Sequence, residues 1–312
     1  MSSINNIKKE GHMNKDTVYF YLPSFYSWYL LNYGLIQLLD TKPEYFYNIK
    51  IGAIYGHFPG QIWNGGRFLQ AAKPDIDNIL LTVKNFNDLG VPVRFTYTNC
   101  LIKEEHLDDI YCNFVAKNCE NGMNEILCNS EILENYLRKK YPNYKFILST
   151  TKGINGIDKL NELSDNYMLM VPDYKLNNDW DSLAQIKDKG KIETLLNSYC
   201  APDCPLRALH YEHIAKSNLD PNEFFANEWV CPHPQPDFWD VLKSPLSVKN
   251  EDLYGKYYDM GFRHFKIEGR SEHLADVVDS YVYYMVKPEW RDKVRNMLIK
   301  FQLGLPQFKR PQ

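Results

Sequence analysis

From Lys50 to Glu268, short apolar or β-branched runs alternate with longer stretches whose apolar residues recur every three or four positions. The first kind of run reads as strand and the second as amphipathic helix. The strand candidates are Lys50–Tyr55, Val91–Thr98, Glu125–Asn129, Lys145–Thr150, Tyr167–Val171, Glu193–Asn197, Pro245–Val248 and His264–Glu268. Among the helices, Asp75–Leu89 places Ile76, Ile79, Leu80, Val83 and Phe86 on one face. Ser130–Lys140 opens on a serine N-cap and stops before Tyr141-Pro142. Asp179–Lys189 and Asn250–Met260 each run up to a glycine, the usual helix terminator.

Strand–helix units repeated over about 230 residues have the size and rhythm of a (β/α)8 barrel. The expected class is therefore α/β, a TIM-like barrel in a single domain. An open doubly wound sheet is the alternative, because strand order is not written in the sequence. Upstream, Thr17 to Tyr47 is rich in Tyr, Leu and Trp and reads as a strand followed by a buried helix, roughly Trp28 to Leu39. Downstream, Glu272–Leu303 reads as two helices bent at Pro288. The barrel domain thus spans 17–312, with extra N-terminal and C-terminal helices, after a polar extension over 1–16.

Composition narrows the function classes. A formal net charge of −3 supplies no global field for nucleic acid, although a local basic patch such as Arg138-Lys139-Lys140 is still compatible with RNA. No apolar run reaches the roughly 18 residues that mark a membrane span, and the polar start lacks the apolar core of a secretory signal. Seven cysteines without an export signal then point to thiols in the reducing cytoplasm, packed or ligating metal, rather than to disulfides.

In a barrel, function sits where strands end. After the first strand candidate come Gly65, Gly66 and Arg67, which suit close approach to a carboxylate or phosphate. Later strand ends bring Asn99 and Cys100, Asn129 and Ser130, Thr151 and Lys152, Asp173, then Asn197 and Tyr199. Such a ring suits an oriented polar ligand. The sharpest feature is Cys200-Ala-Pro-Asp-Cys204, followed by Cys231 between Val230 and Pro232. Thiolates in that pattern select an iron–sulfur cluster or zinc. A fourth place is open to Cys100, His233 or a bound small molecule. Cys112, Cys119 and Cys128 read as packed thiols, and His210 with His213 as a helical pair. The last strand candidate alternates so that Lys266 and Glu268 share one side, which makes Glu268 a candidate acid or base beside the possible anion clamp Arg270.

The segments Ser244–Leu253 and Gly261–Arg270, with the strand end Lys266-Ile-Glu-Gly-Arg270, resemble the closing strands of the collagenase-like U-type peptidase family. Cys200, Cys204, Pro205 and Arg207 resemble that family's cysteine-rich segment, and Cys231 matches it more loosely. The resemblance covers roughly 124–284. It implies a barrel, a four-iron four-sulfur cluster, and a role in oxygen-independent hydroxylation or a related modification of RNA or a small molecule. An electron donor is then implied but not identified. This sequence departs from the family in having no cysteine between Cys128 and Cys200. Two other readings stand beside it: a peptidase, as the family label suggests, and a non-catalytic barrel pinned by structural zinc. No Gly-x-Ser-x-Gly or His-Glu-x-x-His supports the first.

Overall fold

The computed structural model describes residues 17–66, 69, 71–226, 231–233, 236–269 and 273–305. Eight parallel strands form one sheet: β1 Val18–Pro23, β2 Ile49–Gly56, β3 Val93–Tyr97, β4 Glu125–Cys128, β5 Lys145–Leu148, β6 Leu169–Met170, β7 Glu193–Leu195 and β8 His264–Lys266. Their order is β6-β5-β4-β3-β2-β1-β8-β7, and a parallel bridge from Met170 to Ile192 joins the two ends. The sheet therefore closes into a (β/α)8 barrel, which excludes the open sheet.

The count of eight is reached differently from the sequence expectation. Val18–Pro23 is the first strand, and Pro245–Val248 is no strand. The latter passes beside the sheet as a loop, held by the Val248 amide on the Leu196 carbonyl at 2.9 Å. The cysteine-bearing loop consequently follows the seventh strand.

Alternation sorts the side chains into two layers. Phe20, Leu22, Ile54, Val93, Phe95, Ile126, Phe146, Leu148, Phe265 and Ile267 belong to the large cluster between strands and helices. Tyr21, Ala53, Leu127, Ile147, Leu169 and Val171 form a smaller cluster inside the barrel. At the β1–β2 bulge, Gly52 lies against the Tyr21 ring, where a Cβ would fall 2.4 Å from a ring carbon.

The helices start where local chemistry allows. After α1 (Tyr29–Thr41), α2 (Ile76–Asp88) is capped by the Asp75 carboxylate, which accepts from the Asn78 amide. In α3 (Ile110–Asn118) Asp109 plays that part toward the Cys112 amide, and in α4 (Glu131–Lys140) Ser130 plays it toward Leu133. Then come α5 (Ile157–Leu163), α6 (Trp180–Ala184) and α7 (Arg207–Leu219). α6 is much shorter than the expected Asp179–Lys189. Near the end, helices Leu274–Met285 and Arg291–Gln302 flank a short turn at Pro288, as Pro288 requires. No helix among the described residues is long and apolar enough to cross a membrane.

Candidate functional site

Below the mouth, the barrel interior carries charge. Arg94, fully buried, donates from Nε to Glu125 at 2.6 Å and from Nη1 to both oxygens of Glu193 at 2.7 Å. Its guanidinium lies 4.3 Å from the centre of the Tyr21 ring. Burial disfavours the Arg94 cation, but the two carboxylates outweigh that and hold its pKa above the ordinary value. Lys266 Nζ sits 3.9 Å from Glu193 and 3.9 Å from the Tyr55 ring centre. Burial pulls the Lys266 pKa down to about 8, against the opposing pull of Glu193. His264 shares a 2.8 Å hydrogen bond with Tyr21, and burial followed by Arg94 lowers its pKa to about 4. Burial raises Glu125 despite Arg94. Apolar residues usually fill this part of a barrel. Here β3, β4, β7 and β8 each contribute an ionisable group.

At the C-terminal mouth a cleft of about 470 Å3 opens over β3, β4 and β5. Its lining includes Gly65, Thr98, Cys100, Asn129, Thr151 and Lys152 from the strand ends, closed on one side by Ala208, Tyr211 and Glu212 of α7. Asn129 donates to the Thr151 hydroxyl at 2.8 Å, and that hydroxyl is 2.8 Å from Ser149 Oγ. Lys152 pairs with Glu134 at 3.1 Å. Burial alone would raise Glu134; Lys152, Arg138 and Tyr167 together hold it below the usual carboxylate range. Gly65 is required where it stands, since a Cβ would fall 2.2 Å from the Thr98 carbonyl oxygen.

One pair fixes the α7 wall. Arg207, its first residue, makes a forked contact with Asp173 at 2.8 and 3.1 Å. Its guanidinium lies 4.4 Å from the Tyr174 ring centre and 5.7 Å from that of Tyr211. The sequence reading named Asp173 and Arg207 separately and missed their pairing.

The remaining sequence-predicted site residues fall in several places. Asn129 lines the cleft, and so does Cys100. Asn99 is turned to bracing: it donates to the Ile62 and Ala215 carbonyls at 2.9 and 3.0 Å and accepts from Leu101. Asn197 is a clamp between strand ends, donating to the Glu268 carbonyl at 3.1 Å and accepting from the Glu268 amide at 2.7 Å. The Glu268 carboxylate is buried and accepts from the Tyr199 amide at 3.3 Å. In the closed strand order β8 lies opposite β4, so Glu268 stands across the barrel from Asn129. Arg67 and Arg270 lie outside the described residues.

The cysteine loop does not gather into a ligand set. The Cys200 thiol packs beside Tyr174, Leu195 and Leu246. Cys204 accepts the Arg207 amide on its carbonyl, and Cys231 is exposed. Among the described residues no three His, Cys, Asp or Glu side chains are grouped to hold a metal ion. That covers Cys200, Cys204 and Cys231 with Cys100 and His233, and likewise His210 and His213. As placed, these residues do not fit an iron–sulfur cluster or a zinc ion. Cys112, Cys119 and Cys128 are buried, as packed thiols should be.

These features define a closed (β/α)8 barrel with a polar cleft at its C-terminal mouth. The sequence matches no protein-family model and no curated protein. In architecture the chain is similar to a solved structure, the U32 peptidase Mk0906, with a TM-score of 0.50. The two are 15% identical, and the match covers 85% of this chain and 96% of that one. At this identity the likeness is one of fold.

Proposed function

We propose that this protein is a barrel enzyme, distantly akin to the U32 peptidases, that modifies a small polar molecule held in the mouth cleft. The cleft itself carries the reading. It opens where barrel enzymes keep their chemistry, its volume lies within the roughly 300–1,000 Å3 of small-ligand sites, and its rim offers amide, hydroxyl, ammonium and carboxylate groups. The shared fold and the Lys266-Ile-Glu-Gly-Arg270 segment support the kinship.

Peptide hydrolysis is the weaker branch. A cysteine nucleophile needs a base beside it and a lowered pKa. No histidine lines the cleft among the described residues, and burial followed by Glu212 pushes the Cys100 thiol up. Oxygen-independent hydroxylation rests on the sequence resemblance and the cysteine spacing alone. The basic run gives RNA as substrate little support, since two of its three cations are engaged within the fold. Arg138 is spent on Glu134 and the Asn166 carbonyl, and Lys140 on Asn113 and Tyr136.

Thermal denaturation against a panel of polar metabolite-sized compounds tests the reading. Some compounds should raise the Tm of the wild type and bind Thr151→Val about three- to tenfold more weakly, the usual worth of one hydrogen bond. A panel without effect, or effects unchanged in Thr151→Val, would contradict it.

A further inference from the structure

The charge around the cleft is uneven. Its described lining holds three ionisable side chains besides Cys100 and Tyr211: Lys152, Glu131 and Glu212. The lysine is held at 3.1 Å by the buried Glu134, a carboxylate that also accepts from Arg138 at 2.8 Å. Arg207, the nearest guanidinium on the α7 wall, is likewise committed to Asp173 through both nitrogens. Glu131 and Glu212 are different: one opens α4 and one lies on α7, both exposed and with no ion-pair partner among the described residues. The α4 N-terminus offsets part of the Glu131 charge. Glu212 has no ion-pair partner among the described residues, and its charge helps to raise the Cys100 pKa after burial. Between these carboxylates the cleft presents the Tyr211 phenol ring and the acceptor oxygens of Asn129, Thr151 and Thr98. An aromatic face, carboxylates and oxygen acceptors around one cavity are what an ammonium group needs: charge, acceptors for its N–H donors, and a π-surface for its polarised methylenes.

We infer that the mouth cleft takes an alkylammonium group, with Glu212 and Glu131 as its counter-charges and Tyr211 as the wall against which it packs. This rests on the proposal that the cleft is the ligand site, and it reverses the sign of ligand that Arg67 and Arg270 suggested in the sequence. The ammonium can belong to a free amine or to a lysine side chain of a peptide; the chemistry recognised is the same.

The test is isothermal titration of the full chain with three probes: 1,5-diaminopentane, glutarate as the dianion of matching length, and the tripeptide Gly-Lys-Gly. The diamine should bind and glutarate should not. Glu212→Gln should weaken the diamine about three- to fivefold, as expected for one accessible ion pair, and added salt should weaken it further. Tyr211→Leu should also weaken it, while Lys84→Gln, an exposed residue of α2 that is not part of the cleft lining, should not. Binding of Gly-Lys-Gly comparable to the diamine would assign the ammonium to a peptide; binding of the diamine alone would assign it to a free amine. Glutarate binding in a manner abolished by Lys152→Gln would overturn the cationic assignment and leave the cleft as the site. Diamine binding unchanged in the Glu131→Gln/Glu212→Gln double variant would overturn it too. If no probe of either sign binds, the inference and the cleft proposal fall together. Both glutamates are exposed, so their glutamine variants should fold, and a wild-type Tm checks that they do.

Discussion

Replacing Arg94 by methionine tests the charged barrel interior most severely. The substitution keeps an unbranched side chain of similar length but deletes the contacts at 2.6 and 2.7 Å to Glu125 and Glu193. Two buried carboxylates would then be left with Lys266, 3.9 Å from Glu193, and the weaker pull of Lys145 on Glu125. The cheapest response is to protonate Glu125, whose pKa burial already raises above that of an ordinary carboxylate. Neutralising a carboxyl of ordinary pKa at pH 7 costs about 3–4 kcal/mol, from 1.36 kcal/mol per pH unit. With the lost hydrogen bonds, the destabilisation should be about 3–5 kcal/mol, the usual cost of breaking a buried pair. That corresponds to a fall in Tm of about 6–10 °C. The sign with pH follows. In the variant, Glu125 is protonated in the folded state and ionised in the unfolded one above its ordinary pKa, so the deficit grows as pH rises and shrinks toward pH 5. Denaturant unfolding of wild type and variant at pH 5 and pH 7 measures both differences. A deficit below about 1 kcal/mol, or one equal at the two pH values, would refute the claim that Arg94 neutralises two ionised carboxylates.

The other predictions are more local. His264, with a folded pKa of about 4 against 6.5, is neutral inside the barrel, so stability should hold above pH 6.5 and be lost as pH falls toward 4. Unfolding experiments on His264→Gln should show that loss reduced by on the order of 3 kcal/mol. Gly65→Ala should cost about 1–3 kcal/mol in stability, because the added Cβ meets backbone rather than a mobile side chain, and should weaken any ligand of the cleft. Arg207→Lys keeps the charge but not the fork to Asp173, so thermal denaturation should show a loss of about 1–2 kcal/mol that Lys175→Arg, on an exposed pair, does not reproduce. Anaerobically purified protein should carry neither stoichiometric iron and sulfide nor zinc if the cysteines stay as placed. Iron and sulfide bound in wild type and absent in Cys204→Ser would show instead that Cys200, Cys204 and Cys231 converge on a cluster.

What the sequence made legible depends on how local the determining physics is. Ser130 as an N-cap, the stop at Tyr141-Pro142 and the break at Pro288 were readable because caps and prolines act within one turn. The strand Val18–Pro23 was visible too, yet Pro245–Val248 was counted in its place. A four-residue apolar run has the composition of a strand whether or not a ladder forms, and here Val248 makes its bond to Leu196 from a loop. Lys266 and Glu268 were correctly put on one side of β8 by alternation. The same reasoning applied to Arg94, Glu125 and Glu193 would have found the interior network, since each stands at an inward position of a short strand. It was missed because a single charge in an apolar strand looks like a surface residue until the strand is known to be buried on both faces.

The mouth was harder. Asn99, Asn129 and Asn197 are equivalent in sequence, each an amide after a strand, but only Asn129 lines the cleft. The other two spend their amides on backbone groups that no spacing reveals. The Asp173–Arg207 fork joins residues 34 apart, which only the closure of the barrel brings together. Cysteine spacing suggested one ligand set; among the described residues Cys200 lies beside Tyr174 and Cys231 stands exposed.

The central claim is that the cleft over β3, β4 and β5 is where this protein meets its substrate. Cys100 lines that cleft and Cys231 is exposed outside its lining, so each reports on the other under a thiol-alkylating reagent read by peptide mass spectrometry. In the presence of a low-molecular-mass extract of polar metabolites, alkylation of Cys100 should slow while that of Cys231 continues unchanged. Equal rates at Cys100 with and without the extract would mean that the cleft stays empty and that the site lies elsewhere.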